Sequence, residues 1–186
     1  YRMSLNFQKL GRYFPSMFYF SFRRQKFLSA ISAVFLIFVF SSTMISQTES
    51  DENIQKAIQL FNQGQDAHEK NDYLTALKFY DEALKLFPEF PEAEFQRANA
   101  LQSLNKFDAA EQAFRRALEL REDWSLPMTS LGALLVEKGN FAEAEEFLTK
   151  AIDLDGANFL AYSALTELKL RIKANPAVLK DLLYKL

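Results

Sequence analysis

An aromatic residue followed by two alanines seven apart recurs through the chain at a fixed interval of 34 residues. The first copy places Tyr73, Ala76, Tyr80, Ala83 and Leu86 in order; the second has Phe107, Ala110, Phe114, Ala117 and Leu120; the third has Phe141, Ala144, Leu148, Ala151 and Leu154. No insertion interrupts the three copies. A constant period of roughly 20–50 residues marks stacked supersecondary units, and about 34 suits a helix-turn-helix unit. At about 3.6 residues per turn, the paired alanines fall on nearly one face of a helix. Small side chains there let two helices approach closely, and the aromatic or leucine between them fills the space beside the contact. A lone unit cannot bury such a face, so neighbouring units must cover it.

The rest of each copy carries a second set of marks. A small residue stands sixteen positions before the central aromatic or leucine, as Gly64, Ala98 and Gly132, and Gly139 and Pro88 stand at the turn and the end of a unit. On these residues the chain resembles the tetratricopeptide repeat family, with copies at 57–90, 91–124 and 125–158. Asn71 and Asn105 replace the loop glycine, Glu122 and Gly156 replace the terminal proline, and no Trp opens any copy. Asn tolerates the left-handed backbone that such a loop needs, so these departures leave the fold intact. The resemblance implies an all-α, right-handed superhelical solenoid of antiparallel helix pairs. Helices are expected at about 52–70 with 73–87, 91–104 with 107–120, and 125–138 with 141–154. Asp72 and Asn140 are placed to cap second helices, while Pro88 and Pro91 close one pair and open the next.

Charge divides the chain. Residues 1–26 hold Arg2, Lys9, Arg12, Arg23, Arg24 and Lys26 with no acid, yet the net charge of all 186 residues is −2, so the repeats are acidic. An acidic repeat region argues against a nucleic-acid partner, because phosphate binding needs clustered Lys and Arg. The chain has no cysteine and one histidine, His68, which excludes disulfides, thiol catalysis and multi-histidine metal centres. There is no phosphate-binding glycine loop, zinc-protease helix or nucleophile elbow. Asp153 to Gly156 resembles the start of a calcium loop without its later acidic ligand, and reads as a helix end with Gly as the cap. The expectation is a non-catalytic chain with no cofactor and no metal.

Residues 27–46, FLSAISAVFLIFVFSSTMIS, are uncharged. As a helix they would be about 30 Å long, enough to span a hydrocarbon core. Basic residues precede them and Glu49, Asp51 and Glu52 follow, so an anchor would leave the N-terminus cytoplasmic and the repeats on the extracytoplasmic or periplasmic side. The alternative is a cleaved signal read from Met17, with Val39 and Ser41 as the cleavage context. A buried soluble helix is the plainest reading and fits the flanking charges worst. Residues 47–56 form a spacer and the start of the first helix, where Thr48 or Ser50 would act as the cap. Residues 159–186 read as capping helices or a partial fourth repeat, with Asn175 and Pro176 starting a short helix. Its leucines either fold back on the last repeat or belong to a chain that continues further, and left exposed they would mediate self-association.

In the resembled family the first helices line a concave groove that holds peptides or partner segments. Carried through the register, the lining comprises Phe61, Gln65 and His68; Phe95, Asn99 and Gln102; Thr129, Ala133 and Val136; with Ser163 and Glu167 beyond. Chaperone-binding members hold a C-terminal carboxylate there with Lys, Asn and Arg, whereas Phe61 and Phe95 stand here where a clamp Lys would be expected. A neutral, amide-bearing, partly apolar groove for a protein or peptide is the expectation. Phe61 and Phe95 otherwise pack between repeats, His68 is expected to be solvated, and Glu143, Glu145 and Glu146 to form a solvated outer face. The function expected is that of an exported, membrane-tethered interaction or scaffolding module, or else a docking part of an envelope enzyme whose catalytic part lies elsewhere.

Overall fold

The computed structural model describes residues 50–185, which form helices joined by short turns with no strand among the described residues. The expected apolar helix at 27–46, and Thr48 as a cap, lie outside them. Ser50 is already helical and so is not a cap. Helix α1 occupies 50–69, followed by α2 (Tyr73–Leu86), α3 (Pro91–Ser103), α4 (Phe107–Leu120), α5 (Ser125–Lys138), α6 (Phe141–Leu154), α7 (Phe159–Arg171) and α8 (Pro176–Tyr184). From α2 onward each helix packs on the next in sequence, and α5 also packs on α7. The result is a stack of antiparallel pairs, with α1, α3, α5 and α7 as first helices and α2, α4, α6 and α8 as second helices.

Within each pair the turn has one construction. Asn71, Asn105, Gly139 and Lys173 have φ of 60°, 57°, 82° and 53°, and they follow one another at the 34-residue period. Each amide donates to the carbonyl three residues back, and the next amide donates to the carbonyl five residues back: Asn71 to His68 (2.8 Å) with Asp72 to Ala67 (2.9 Å), and Lys173 to Leu170 (3.1 Å) with Ala174 to Lys169 (2.9 Å). This pair of hydrogen bonds satisfies the last carbonyls of the helix and turns the chain back on itself. Lys173 thus places a fourth unit in register, with α7 and α8 as its two helices.

Capping agrees with the expectation in part. Asp72 accepts from the Thr75 amide (3.2 Å), Asn175 accepts from the Ala177 amide (2.9 Å), and Pro91 and Pro176 sit in the first turns of α3 and α8. Asn140 occupies the cap position of α6 without a side-chain bond. Gly156 is not the left-handed cap of α6; Asp155 ends the helix in extended geometry and its carboxylate accepts from the Ala157 amide (3.1 Å).

The core lies along the alanine seams. Ala76, Ala83, Ala110, Ala117, Ala144 and Ala151 are all fully buried, as are Tyr80, Phe114 and Leu148 between them. Each large residue fills the space left by the small residue of its own first helix. A Cβ on Gly64 would come within 2.5 Å of the Tyr80 ring, and one on Gly132 within 2.6 Å of Leu148. The same positions of the fourth unit hold Thr166 and Leu182, both buried.

Ion pairs join neighbouring helices at the rim of these seams. Arg97 meets Asp81 at 2.6 Å between α3 and α2, Lys138 reaches Asp108 and Glu111 of α4 at 2.6 Å each, and Arg115 meets Glu143 at 2.7 Å. The acidic run of α6 is therefore not merely solvated. Glu143 holds Arg115, Glu145 holds Lys169 of α7 at 2.5 Å, and only Glu146 pairs along its own helix, with Lys150 at 2.8 Å.

Candidate functional site

The central first helix, α5, shows where a first helix of this stack remains open. Its half-buried or exposed positions through the middle are Leu126, Ser130, Ala133 and Glu137, spaced i, i+4, i+7 and i+11. That spacing is one stripe of an α-helix. The other faces are covered by α4, α6 and α7. In register, the stripe continues as Ile58, Asn62, Gln65 and Glu69 on α1, as Glu92, Gln96, Asn99 and Ser103 on α3, and as Leu160, Ala164, Glu167 and Arg171 on α7; all of these are exposed or half-buried.

The lining expected from sequence coincides with this stripe only at Gln65, Asn99, Ala133 and, on α7, Glu167. Thr129 and Val136 are 5% and 1% exposed, so they do not face a ligand. They lie on the side of α5 that α7 covers. The Thr129 hydroxyl is spent inside the protein, donating to the Ser125 carbonyl (2.9 Å) and accepting from Asn158 Nδ2 (2.9 Å). Phe61 and Phe95 hold the equivalent place in their own repeats and pack as rings: Phe61 lies 5.8 Å from Tyr80 and 5.0 Å from Phe90, and Phe95 lies 5.9 Å from Phe114 and 5.1 Å from Trp124. Gln102 is half-buried at the position of Val136, and Ser163 is exposed at that of Thr129. The missed signal was positional. On α5 the next first helix, α7, covers the fifth and twelfth residues of the copy, Thr129 and Val136, and leaves the second, sixth, ninth and thirteenth open.

His68 is only partly solvated. Its ring is half-buried, edge-on to Tyr73 at 5.1 Å, and its Nδ1 is buried without a hydrogen-bond partner among the described residues. Burial holds its pKa below the ordinary histidine value. The Tyr80 hydroxyl, 0% exposed with its ring, likewise has no partner, and burial, with Glu69 nearby, pushes its pKa up to about 12.

The open stripe is polar and amide-rich at its centre. Asn99 Nδ2 donates to Gln96 Oε1 at 3.3 Å, and Asn62 and Gln65 hold the same two places on α1. Along one edge stand the exposed apolar residues Ile58 (38%), Leu126 (47%) and Leu160 (67%), each at the second position of its copy. Among the described residues no group of three or more His, Asp or Glu side chains is placed to hold a metal. No helix among them is long and apolar enough to cross a membrane.

Helix pairs stacked in sequence order, with the same register positions of each first helix left open, define a repeat solenoid. Family models described as tetratricopeptide repeat match residues 91–123 and 128–158. A STIP1 homolog of Dictyostelium discoideum is 33% identical over 116 residues, covering 62% of this chain and 21% of that protein. An uncharacterised protein of Methanocaldococcus jannaschii is 33% identical over 72 residues, which are 39% of this chain and 84% of that one. Among solved structures, the first repeat domain of Spaghetti (RPAP3) bound to the HSP90 peptide SRMEEVD superposes with a TM-score of 0.63 at 24% identity, over 65% of this chain and 96% of that one. The chain belongs to the tetratricopeptide repeat family. It spans about a fifth of the STIP1 homolog's length.

Proposed function

We propose that the chain is a non-catalytic interaction module that holds a peptide or partner segment along the open stripe of α1, α3, α5 and α7. The observation that carries this reading is the stripe itself. Four first helices leave the same face open, and its centre presents Asn62, Gln65, Gln96 and Asn99 with amide groups suited to a peptide backbone. A relative and a structural neighbour support the same class, since the neighbour holds an HSP90 peptide. Residues 27–46 complete the proposal as a membrane tether or export signal, supported by their uncharged length and the basic residues before them; retention in the pellet after alkaline extraction is expected for the tether.

Phe61 and Phe95 are poor probes of the groove because their removal would unpack the helices. A photo-crosslinking residue at Ser130 in intact cells is expected to label a partner that the same residue at Lys150, on a second helix, does not. Gln65→Ala with Asn99→Ala is expected to lower that labelling at least fivefold with helical circular dichroism unchanged. Equal labelling from Ser130 and Lys150 refutes the groove.

Self-association through α8 is a second reading, favoured by its exposed Val178, Leu183 and Tyr184. Comparison of the mass in solution with and without residues 176–186 tests it, and an unchanged mass removes it.

A further inference from the structure

We propose that the open stripe selects peptides combining apolar side chains with Lys or Arg, and discriminates against acidic tails. The proposal rests on the groove reading and adds to it the chemistry of the occupant. At the far edge of the stripe Glu69 and Glu137 are exposed and have no ion-pair partner among the described residues. The stripe's other charges are already matched: Glu167 holds Arg171 at 2.7 Å, and Glu92 pairs with Arg121. Arg171 is the stripe's only cation, so the uncompensated charge facing a ligand is negative.

The apolar contribution sits opposite that charge. Leu126 and Glu137 are eleven residues apart on α5, about 16 Å at 1.5 Å per residue. The same spacing separates Ile58 from Glu69 on α1. A ligand crossing the first helices therefore meets apolar residues along one edge at Ile58, Leu126 and Leu160, amides beneath it on α1 and α3, and carboxylates along the other edge at Glu69 and Glu137. An extended peptide sends successive side chains to opposite sides, so a segment that alternates apolar and basic residues satisfies both edges at once. An acidic segment such as SRMEEVD would bring Glu and Asp toward Glu69 or Glu137, and the one cation at a stripe position, Arg171, is already paired with Glu167. Exposed charge pairs of this kind change an equilibrium by about threefold each, and salt screens them over about 8–10 Å.

The test uses the full 186-residue chain. Three fluorescein-labelled peptides share one alternating apolar framework and carry Lys, Gln or Glu at the remaining positions. Fluorescence anisotropy at about 50 mM and 300 mM salt is expected to rank affinity as Lys above Gln above Glu. The spread should be about tenfold at low salt and should shrink at high salt. Glu69→Gln with Glu137→Gln is expected to collapse the spread while helical circular dichroism is retained. That variant is decisive, because residues 1–26 are themselves basic and would favour acidic peptides without involving the stripe. If the Gln or Glu peptide binds as tightly as the Lys peptide, or the double variant keeps the ranking, this inference is overturned while the groove stands. If no peptide binds, or binding is indifferent to Gln65→Ala with Asn99→Ala, the groove reading fails and this inference with it.

Discussion

Tyr80 shows what one side chain costs when a repeat is built from a shared pattern. Its ring is fully buried against Gly64 and fills the place that Phe114 fills in the next copy, yet it brings a hydroxyl with no hydrogen-bond partner among the described residues. Since the equivalent position works as Phe, the hydroxyl is not needed for packing. An unsatisfied buried polar group costs about 1–3 kcal/mol. Tyr80→Phe is therefore expected to raise stability by about 1 kcal/mol, read as a higher midpoint in urea. The same substitution has a pH signature. The folded Tyr80 pKa is raised from 10.0 to about 12, so its neutral form is favoured in the fold; the associated stability is fully present below pH 10 and is lost as pH rises toward 12. The difference between wild type and Tyr80→Phe should widen across that alkaline window and stay constant between pH 7 and 9. A midpoint lowered by Tyr80→Phe would mean that the hydroxyl has a partner after all.

Among the elements, the seams were readable from sequence and the open stripe was not. Alanines seven apart announce a close helix crossing because only a small side chain permits one, and all six are buried. At the turns, Asn71 and Asn105 adopt the left-handed backbone expected of a substitute for glycine, but nothing about Lys173 as a residue signals that conformation; only its place in the 34-residue series does. The expected lining departs from the open positions most clearly at Thr129 and Val136, which are buried. Thr129 and Ala133 are one turn apart and look alike as candidates, but which of them is covered depends on where α7 lies against α5, a tertiary fact with no local signature. His68 is less exposed than its sequence position suggests for the same reason, since Tyr73 of the next helix packs against it. The seam makes its own prediction. Ala117 lies fully buried in α4, and Ala117→Leu forces three extra carbons into a tight crossing, at a cost of about 1–3 kcal/mol. Thermal unfolding followed at 222 nm should show the lowered midpoint, and an unchanged one would place Ala117 outside the contact.

Across the whole molecule, stability is expected to depend on place in the stack as much as on chemistry, because each unit contacts only its neighbours. Leu148 and Leu182 provide a controlled comparison. They hold the same register position, one in the third unit and one in the fourth, and both are buried. Both belong to one buried cluster, but Leu148 has units on both sides, whereas Leu182 belongs to α8, which among the described helices packs mainly on α7. Removing a buried leucine side chain costs about 2–5 kcal/mol where the surroundings cannot relax. Leu148→Ala should therefore lower the global unfolding midpoint. Leu182→Ala should instead let α8 detach, because the turn at Lys173 can open without disturbing α5 and α6. Hydrogen exchange distinguishes the two. Leu182→Ala is expected to accelerate exchange in residues 176–184 and leave α4 to α6 protected, while Leu148→Ala accelerates exchange in α4, α5, α6 and α7 together. If Leu182→Ala depresses the global midpoint as far as Leu148→Ala does, the stack unfolds as one cooperative block, and nearest-neighbour contacts do not describe its stability.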